Sequence, residues 1–226
     1  MENKENILLF GCGVTARAAY AYFKNCSQYN IEAFVVDKQH FDNSITLDIP
    51  IWPYEHINKG FLSTHKFVVC VGYQSLNRLR EKIYSRLTSD GWKFTSLVCE
   101  SYLTLGIEHG ENCIIMPGGI LQPNCVVGSG TIIWPGAVIG HDTVVGDFCW
   151  LTSGCAIGGN ASVGNFTFVG MNAVVNDNVQ VGIANLIGSS SCISKNTSDG
   201  KVFIAQSLDP IRIGSEKFVQ FSKFGE

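Results

Sequence analysis

The chain has 226 residues, of which 46% are hydrophobic and 15% charged, and its formal net charge is −3. The sixteen Lys and Arg residues are scattered, so the sequence has no basic patch of the kind that nucleic acid or an anionic membrane requires. No apolar run approaches the roughly 18 residues of a membrane span, and the N-terminal stretch lacks an apolar targeting segment. We therefore expect a globular cytoplasmic protein with neither nucleic-acid nor membrane partners.

The nine cysteines are an odd number and contain no Cys-x-x-Cys pair. This pattern argues against both a disulfide framework and a structural zinc site. We expect most of these thiols to be small buried residues, and we expect no metal.

The first hundred residues follow a strand–turn–helix–strand pattern. Residues 6–10 predict a short apolar strand, residues 11–16 form the turn Gly-Cys-Gly-Val-Thr-Ala, and an alanine-rich helix is expected from about 15 to 25. Residues 31–36 predict a second strand that ends at Asp37. A glycine turn in this setting is typical of a loop that accepts a diphosphate at a helix N-terminus.

The remainder of this half predicts a small α/β unit. Residues 66–71 form a third apolar strand, and residues 94–98 a last one. Between them Leu76, Leu79, Ile83 and Leu87 have helical spacing, so we expect a helix with these residues in the core and Ser75 as its N-cap. About a hundred residues cannot hold both mononucleotide-binding halves of a dinucleotide fold, which argues against a dehydrogenase.

The second half repeats every six residues. Fourteen positions from Ile115 to Ile193 in steps of six are all apolar, and glycine follows eight of them, where we expect a side chain to be obstructed or φ to be positive. Two residues before each apolar position, small residues such as Cys113 and Cys149 form a second inward column. This period is what a triangular parallel β-helix requires, with three hexads to a coil.

We therefore predict an α/β domain at 1–108 and a β-helix of between four and five coils within 109–226. Residues 201–206 predict a closing strand. Residues 216–224 predict a helix that covers an open end of the β-helix.

The pairing of these two units resembles one family, the hexapeptide-repeat acyltransferases that N-acetylate nucleotide-linked amino sugars and are related to sialic acid O-acetyltransferases. The resemblance covers nearly the whole chain. It lies in the glycine turn, the strand ending at Asp37, the stretch 50–55 (Pro-Ile-Trp-Pro-Tyr-Glu), Gly72-Tyr73 and residues 77–80 (Asn-Arg-Leu-Arg). It implies left-handed coils, which depart from the usual handedness of parallel crossovers.

The resemblance also implies two substrate sites. A Rossmann-like N-terminal unit would bind the nucleotide-linked amino sugar, and the β-helix would bind acetyl-CoA or another acyl-CoA in grooves shared between the subunits of a homotrimer. The nucleotide-sugar residues implied are Gly11, Gly13, Thr15, Asp37, Lys38, Gly72, Tyr73 and Asn77.

His141 is the only histidine within the repeats proper, from Ile115 to Ile193, and it directly follows a corner glycine. An amine that attacks a thioester must lose a proton, and Asp142 is placed to orient an imidazole that accepts it. The family's catalytic histidine, followed by an acidic residue, matches this position. We therefore expect His141 to be the general base, against the alternative of an ordinary exposed turn residue.

Three residues are expected to contact acyl-CoA. Gly159 lies one coil after His141, and its backbone N–H is a candidate donor to the thioester oxygen. Lys195 is a candidate contact for a coenzyme phosphate. Trp150 stands where relatives often carry a second histidine, so an acyl group larger than acetyl remains an alternative. Thr15 also replaces a histidine common in the family's glycine turn, and the usual Gly-Val-Pro-Ala ending is absent.

Other functions remain open at this point. O-acetylation of a sugar such as sialic acid would use the same histidine to activate a hydroxyl. A γ-type carbonic anhydrase needs three zinc-binding histidines, which the repeats do not supply. A nucleotide-sensing or scaffolding trimer without catalysis is the non-enzymatic alternative.

Overall fold

A computed structural model describes residues 4–99 and 107–222. The N-terminal unit is a parallel sheet with the order β3-β2-β1-β4-β5 and two α-helices. Its strands are β1 (Glu5–Phe10), β2 (Tyr29–Val36), β3 (Ile51–Pro53), β4 (His65–Val69) and β5 (Lys93–Phe94). Its helices are α1 (Val14–Phe23) and α2 (Arg78–Ser89), and short 3-10 helices occur at Lys38–His40, Tyr54–His56 and Lys59–Ser63.

The central strand β1 is apolar on both faces because helices or the second unit cover both sides of the sheet. Ile7 and Leu9 pack with Ala16 of α1 on one side. Leu8 packs with Leu87 of α2 on the other side. The predicted Rossmann-like arrangement is confirmed, and its strands direct their carboxyl ends to one edge, where the glycine turn lies.

The second unit is a three-faced prism of two-residue strands, all paired in parallel at intervals that are mostly 18 residues. The docked face contains β6 (Leu97–Val98), β8 (Ile114–Ile115), β11 (Ile132–Ile133), β14 (Trp150–Leu151), β17 (Phe168–Val169), β20 (Leu186–Ile187) and β22 (Val202–Phe203). The groove face contains β9 (Ile120–Leu121), β12 (Val138–Ile139), β15 (Ala156–Ile157), β18 (Val174–Val175) and β21 (Cys192–Ile193). The third face contains β7 (Glu108–His109), β10 (Val126–Val127), β13 (Val144–Val145), β16 (Ser162–Val163) and β19 (Gln180–Val181).

The fourteen apolar positions of the repeat all point into the prism, as predicted. The core cysteines Cys113, Cys125, Cys149 and Cys155 are completely buried beside them. The corner glycines are needed for space, because a Cβ at Gly140 would lie 2.5 Å from the Gly159 nitrogen. Positive φ occurs instead two residues after these glycines, at positions that include Asp142, Phe148 and Asn160.

One hydrophobic cluster spans both units. The outward side chains of the docked face, including Ile114, Ile132 and Trp150, pack against Leu9 and Val68 of the N-terminal unit. The side-chain oxygen of Asn112, from a corner of the prism, accepts a hydrogen bond of 2.6 Å from the Val69 amide. This docking brings the glycine turn next to the β-helix.

Several predictions of local structure need correction. The strand expected at 94–98 is two strands, because β5 ends the first sheet and β6 begins the docked face. Ser75 is not an N-cap: Ser75, Leu76 and Asn77 all have left-handed backbone conformations, and α2 begins at Arg78. Leu79 is exposed, and Arg80 occupies the buried face of the helix instead.

The C-terminal segment also differs from its prediction. The closing strand is confirmed as β22, which pairs with β20. The final helix, α3 (Ser215–Ser222), has exposed side chains from Ser215 to Phe221 and therefore does not cover an end of the prism. Residues 223 and 224 of the predicted helix lie outside the described residues. In the described part of the chain, no helix is long and apolar enough to cross a membrane.

Candidate functional site

His141 lies at the corner that follows β12, with its side chain 62% exposed. Its Nδ1 is 2.8 Å from Oδ2 of Asp142, and Oδ1 of Asp142 accepts a bond of 2.9 Å from the Asn124 side-chain amide. Hydrogen bonds from His141 and then from Asn124 lower the pKa of Asp142 below its usual range. A carboxylate acceptor places the proton of a neutral imidazole on Nδ1, which leaves Nε2 able to accept a proton.

Gly159 lies directly against the imidazole. A Cβ at this position would be 2.7 Å from Nε2 of His141, so the ring occupies the space that a side chain would need. The two residues face an open groove of about 530 Å³, whose floor includes Val138, Ala156 and Val174 of the groove face. The expected stacking of His141 and Gly159 on one edge is thus observed.

The backbone N–H of Gly159 is already hydrogen-bonded, however. It donates to Oδ1 of Asp177 at 2.7 Å, in a ladder that recurs where the Ser129 amide donates to Asp147 at 2.7 Å. Donation from this N–H to a thioester oxygen therefore stays a prediction, since Asp177 is its acceptor in this conformation. Asp177 must turn away before the amide can serve another acceptor.

A second cavity, of about 600 Å³, lies between the glycine turn and the docked face. Five of the predicted nucleotide-sugar residues line it: Gly11, Gly13, Thr15, Gly72 and Tyr73. The first turn of α1 contains no acidic residue and has no side-chain cap, so its N–H groups are left for an anion at this end of the cavity.

Aromatic side chains form the opposite wall of this glycine-turn cavity. Trp134 and Trp150 line it, and the Tyr73 ring packs edge-on against Trp150 with 5.3 Å between ring centroids. Trp150 was expected on the acyl side, but within one chain it lies in this cavity and does not line the His141 groove. Its indole therefore belongs to the wall of the glycine-turn cavity.

The other predicted contacts lie away from both cavities. Asp37 forms an ion pair of 2.8 Å with Arg86, and the Lys38 amide donates to the Glu55 carboxylate at 2.9 Å. Asn77 is completely buried, and its side chain donates to the carbonyl of Phe166 at 3.3 Å. Its side chain lines neither cavity, whereas a direct ligand contact was expected. Lys195 is exposed on the last coil, near Lys201.

The burial of Arg80 was not predicted from the sequence. The side chain is completely buried, and burial lowers its pKa to about 10. The helical spacing offered a signal, because position 80 lies on the same face as Leu76, Ile83 and Leu87. An arginine there was unexpected because arginine is almost never fully buried without a partner.

No three His, Cys, Asp or Glu side chains are grouped to hold a metal ion within residues 4–99 and 107–222.

Residues 106–141 match the family model described as bacterial transferase hexapeptide (six repeats). The fold is a Rossmann-like α/β unit followed by a left-handed parallel β-helix, and the resemblance to the hexapeptide-repeat sugar acyltransferases is confirmed at the level of fold. No curated protein sequence matches the chain at a significant level.

Solved structures show the same pairing of units. The acetyltransferase domain of PglB from Neisseria gonorrhoeae, in complex with acetyl coenzyme A, has a TM-score of 0.74 and 19% identity over 88% of this chain and 96% of that one. A mutant of perosamine N-acetyltransferase from Caulobacter crescentus, in complex with CoA and GDP-perosamine, has a TM-score of 0.72 and 22% identity over 87% and 92%. WeeI from Acinetobacter baumannii has a TM-score of 0.67 and 20% identity over 88% and 96%.

Proposed function

We propose that this protein transfers an acyl group, acetyl in the simplest case, from acyl-CoA to the amino group of a nucleoside-diphosphate-linked amino sugar. The observation that carries the proposal is the His141–Asp142 pair, whose Nε2 lies over Gly159 in an open groove of the β-helix. The glycine-turn cavity on the same chain supplies a site for a diphosphate. Complexes of similarly folded proteins with acetyl-CoA, and with CoA and GDP-perosamine, support the same assignment.

In the proposed mechanism, the sugar amine attacks the thioester carbonyl carbon and loses a proton to Nε2 of His141. The tetrahedral intermediate then collapses, the C–S bond breaks, and the CoA thiolate takes the proton from the His141 imidazolium as it leaves, which restores the base. Asp142 keeps the imidazole oriented and stabilises the imidazolium that forms. A positioned base of this kind typically contributes about 10²- to 10⁴-fold to turnover.

The groove face offers the surface for the acyl donor. Its outward column is apolar at every strand, with Ile120, Val138, Ala156 and Val174 in line, and it suits a pantetheine arm. In this proposal Asp177 turns away, and the Gly159 amide donates to the thioester oxygen. Lys195, on the last coil, contacts a phosphate of the coenzyme.

The proposed assembly is a cytoplasmic homotrimer in which a neighbouring copy closes each groove. Two observations support it: the His141 side chain is largely exposed, and the adjacent apolar residues Ile120 and Val174 are 56% and 39% exposed. A groove that is open on one side in a single chain would become enclosed between two copies.

The proposal is tested with purified protein, acetyl-CoA and a panel of uridine-, guanosine- and thymidine-diphosphate amino sugars. Thiol release is followed, and products are identified by mass spectrometry and NMR. A product that carries one new amide-linked acyl group supports the proposal. An ester-linked product would instead show sugar O-acetylation, and turnover only with longer acyl-CoA substrates would show a larger acyl group. Absence of turnover and of CoA binding would contradict an enzymatic role.

A further inference from the structure

Arg80 is a buried charge without a carboxylate partner among the described residues. Its side chain is completely buried beneath the loop that leads from β4 to α2. All the hydrogen-bond acceptors of its guanidinium are neutral: five backbone carbonyls and the side chain of Asn77. Burial of an unpaired cation is costly, so its presence beside a cavity requires a reason beyond packing.

The hydrogen bonds of Arg80 join both units of the protein. Nε donates to the Gly130 carbonyl at 3.0 Å, and Nη2 donates to the Cys149 carbonyl at 3.1 Å, both in the prism. Nη1 donates to Asn77 at 3.1 Å and approaches the carbonyls of Val71 and Gly72 at 3.4 Å. The guanidinium therefore fixes the Gly72–Tyr73 segment relative to the β-helix.

The direction of the peptide groups links Arg80 to the cavity. In a trans peptide the carbonyl and the N–H point to opposite sides. The carbonyls of Val71 and Gly72 face Arg80, so the N–H groups of Gly72 and Tyr73 face the other way, and both residues line the glycine-turn cavity. Within the described residues, neither N–H donates to a protein acceptor.

Among the residues that the structure describes, no cationic side chain lines this cavity, although α1 presents its N-terminus there. A positive charge behind the peptide groups polarises them and makes their N–H groups stronger donors to an anion. Low polarity around the buried guanidinium preserves this effect, which solvent would screen at the surface.

We propose that Arg80 is a positioning residue for the diphosphate of the nucleotide substrate: it holds and polarises the Gly72 and Tyr73 peptide groups so that their N–H groups bind phosphate oxygens. This inference rests on the proposed function. It adds to the nucleotide-sugar site a residue, Arg80, that does not itself contact the ligand.

The test is calorimetric titration of the full chain with uridine, guanosine and thymidine diphosphates, and separately with acetyl-CoA. We expect Arg80→Met to weaken nucleoside-diphosphate binding at least about 10-fold, because the charge and its hydrogen bonds are lost. Acetyl-CoA binding should be unchanged. The affinity of Arg80→Lys for nucleoside diphosphates should lie between those of the wild type and Arg80→Met, since lysine keeps the charge but cannot reach all the carbonyls.

Arg78→Met is the matched control. Arg78 is exposed and lies over the Phe166 ring at 3.5 Å, two residues from Arg80. Nucleoside-diphosphate binding by this variant should equal that of the wild type. In steady-state kinetics, Arg80→Lys should raise KM for the nucleotide sugar with kcat within about 3-fold, a split that a general loss of folding would not produce.

Nucleoside-diphosphate binding by Arg80→Met at wild-type strength would overturn the proposal. If Arg80→Met does not fold, amide NMR of the wild type decides, because titration with the bound diphosphate must shift the Gly72 and Tyr73 amide signals. Unshifted signals in the presence of bound diphosphate would also overturn it. A wild-type protein that binds no nucleoside diphosphate would instead refute the nucleotide part of the proposed function, and this inference with it.

Discussion

His141 and Gly159 are 18 residues apart in the chain, yet their atoms are in contact because three hexads complete one coil. The left-handed backbone of Asp142, with φ of 58°, places its carboxylate within hydrogen-bonding distance of the neighbouring imidazole. Asn124, one coil earlier, holds the other oxygen of that carboxylate. Three successive coils therefore contribute to a single proton-accepting group.

Replacement of His141 by Asn should lower kcat by at least about 10²-fold, because the proton acceptor is lost while an exposed corner residue contributes little to packing. Steady-state thiol release measures the effect, and the melting temperature checks the fold. His56→Asn changes another exposed histidine and should leave turnover intact. Turnover by His141→Asn equal to that of the wild type would remove His141 from the mechanism.

Replacement of Asp177 by Ala should release the Gly159 amide and remove a negative charge beside the position proposed for the thioester oxygen. We expect KM for acyl-CoA to fall by about 3- to 10-fold, the range of one net hydrogen bond. Asp147→Ala removes the equivalent acceptor of the Ser129 amide and serves as the control. We expect no change in its KM for acyl-CoA. A rise in KM for Asp177→Ala alone would show that the carboxylate helps to form the groove.

At the scale of elements, the start of α2 is the most unusual feature of the backbone. Ser75, Leu76 and Asn77 have φ values of 52°, 51° and 66°, which β-carbon-bearing residues seldom adopt in succession. Contacts made by the completely buried Asn77, with Phe166 and Arg80, hold the segment in this conformation. The loop is thus fixed by tertiary contacts that local sequence does not encode.

Replacement of the exposed Ser75 by Gly should raise the free energy of unfolding by about 0.5 kcal/mol or more, since glycine adopts positive φ without the steric penalty. Ser85→Gly is the matched control in the interior of α2, where the same substitution should lower the free energy of unfolding by about 0.5 kcal/mol. Chemical denaturation of both variants gives the comparison. Equal destabilisation by both substitutions would contradict the conformation at position 75.

These elements also show what sequence alone can predict. Each hexad obeys a local rule of one bulky and one small inward residue, so strands β8 to β21 and the stacking of His141 on Gly159 could be predicted. The break between β5 and β6 at Thr95 and Ser96 could not be predicted. The Ser96 hydroxyl forms hydrogen bonds with the Gly110 carbonyl and the Cys113 amide of the prism, which are distant in sequence. The positions of Trp150 and Arg80 depend likewise on how the two units dock, and that docking has no periodic signature.

At the scale of the whole molecule, two faces of the prism differ in what covers them. The N-terminal unit buries the docked face, whereas apolar side chains on the groove face remain exposed in a single chain. A second copy of the chain would bury them and close the groove. We therefore expect assembly and activity to depend on the same surface.

Replacement of Ile120 by Arg should therefore dissociate the proposed trimer and lower activity together, because a charge would be buried against an apolar partner. Val202→Arg places the same charge at a residue that is 62% exposed on the last strand of the docked face, and it should leave assembly unchanged. Analytical ultracentrifugation and thiol release measure both outcomes. A monomeric wild type with full activity would refute the shared groove.

The cysteines inside the prism have a practical consequence. Burial raises the pKa of Cys113 to about 11 and those of Cys149 and Cys155 to about 12, so these thiols are unreactive in the closed structure. Cys113 lies two coils before Cys149, and Cys155 belongs to the same coil as Cys149, so alkylation of Cys113 and of the Cys149–Cys155 pair requires different coils to open. Timed alkylation with mass spectrometry would therefore record which of these two coils opens first, without a single engineered label.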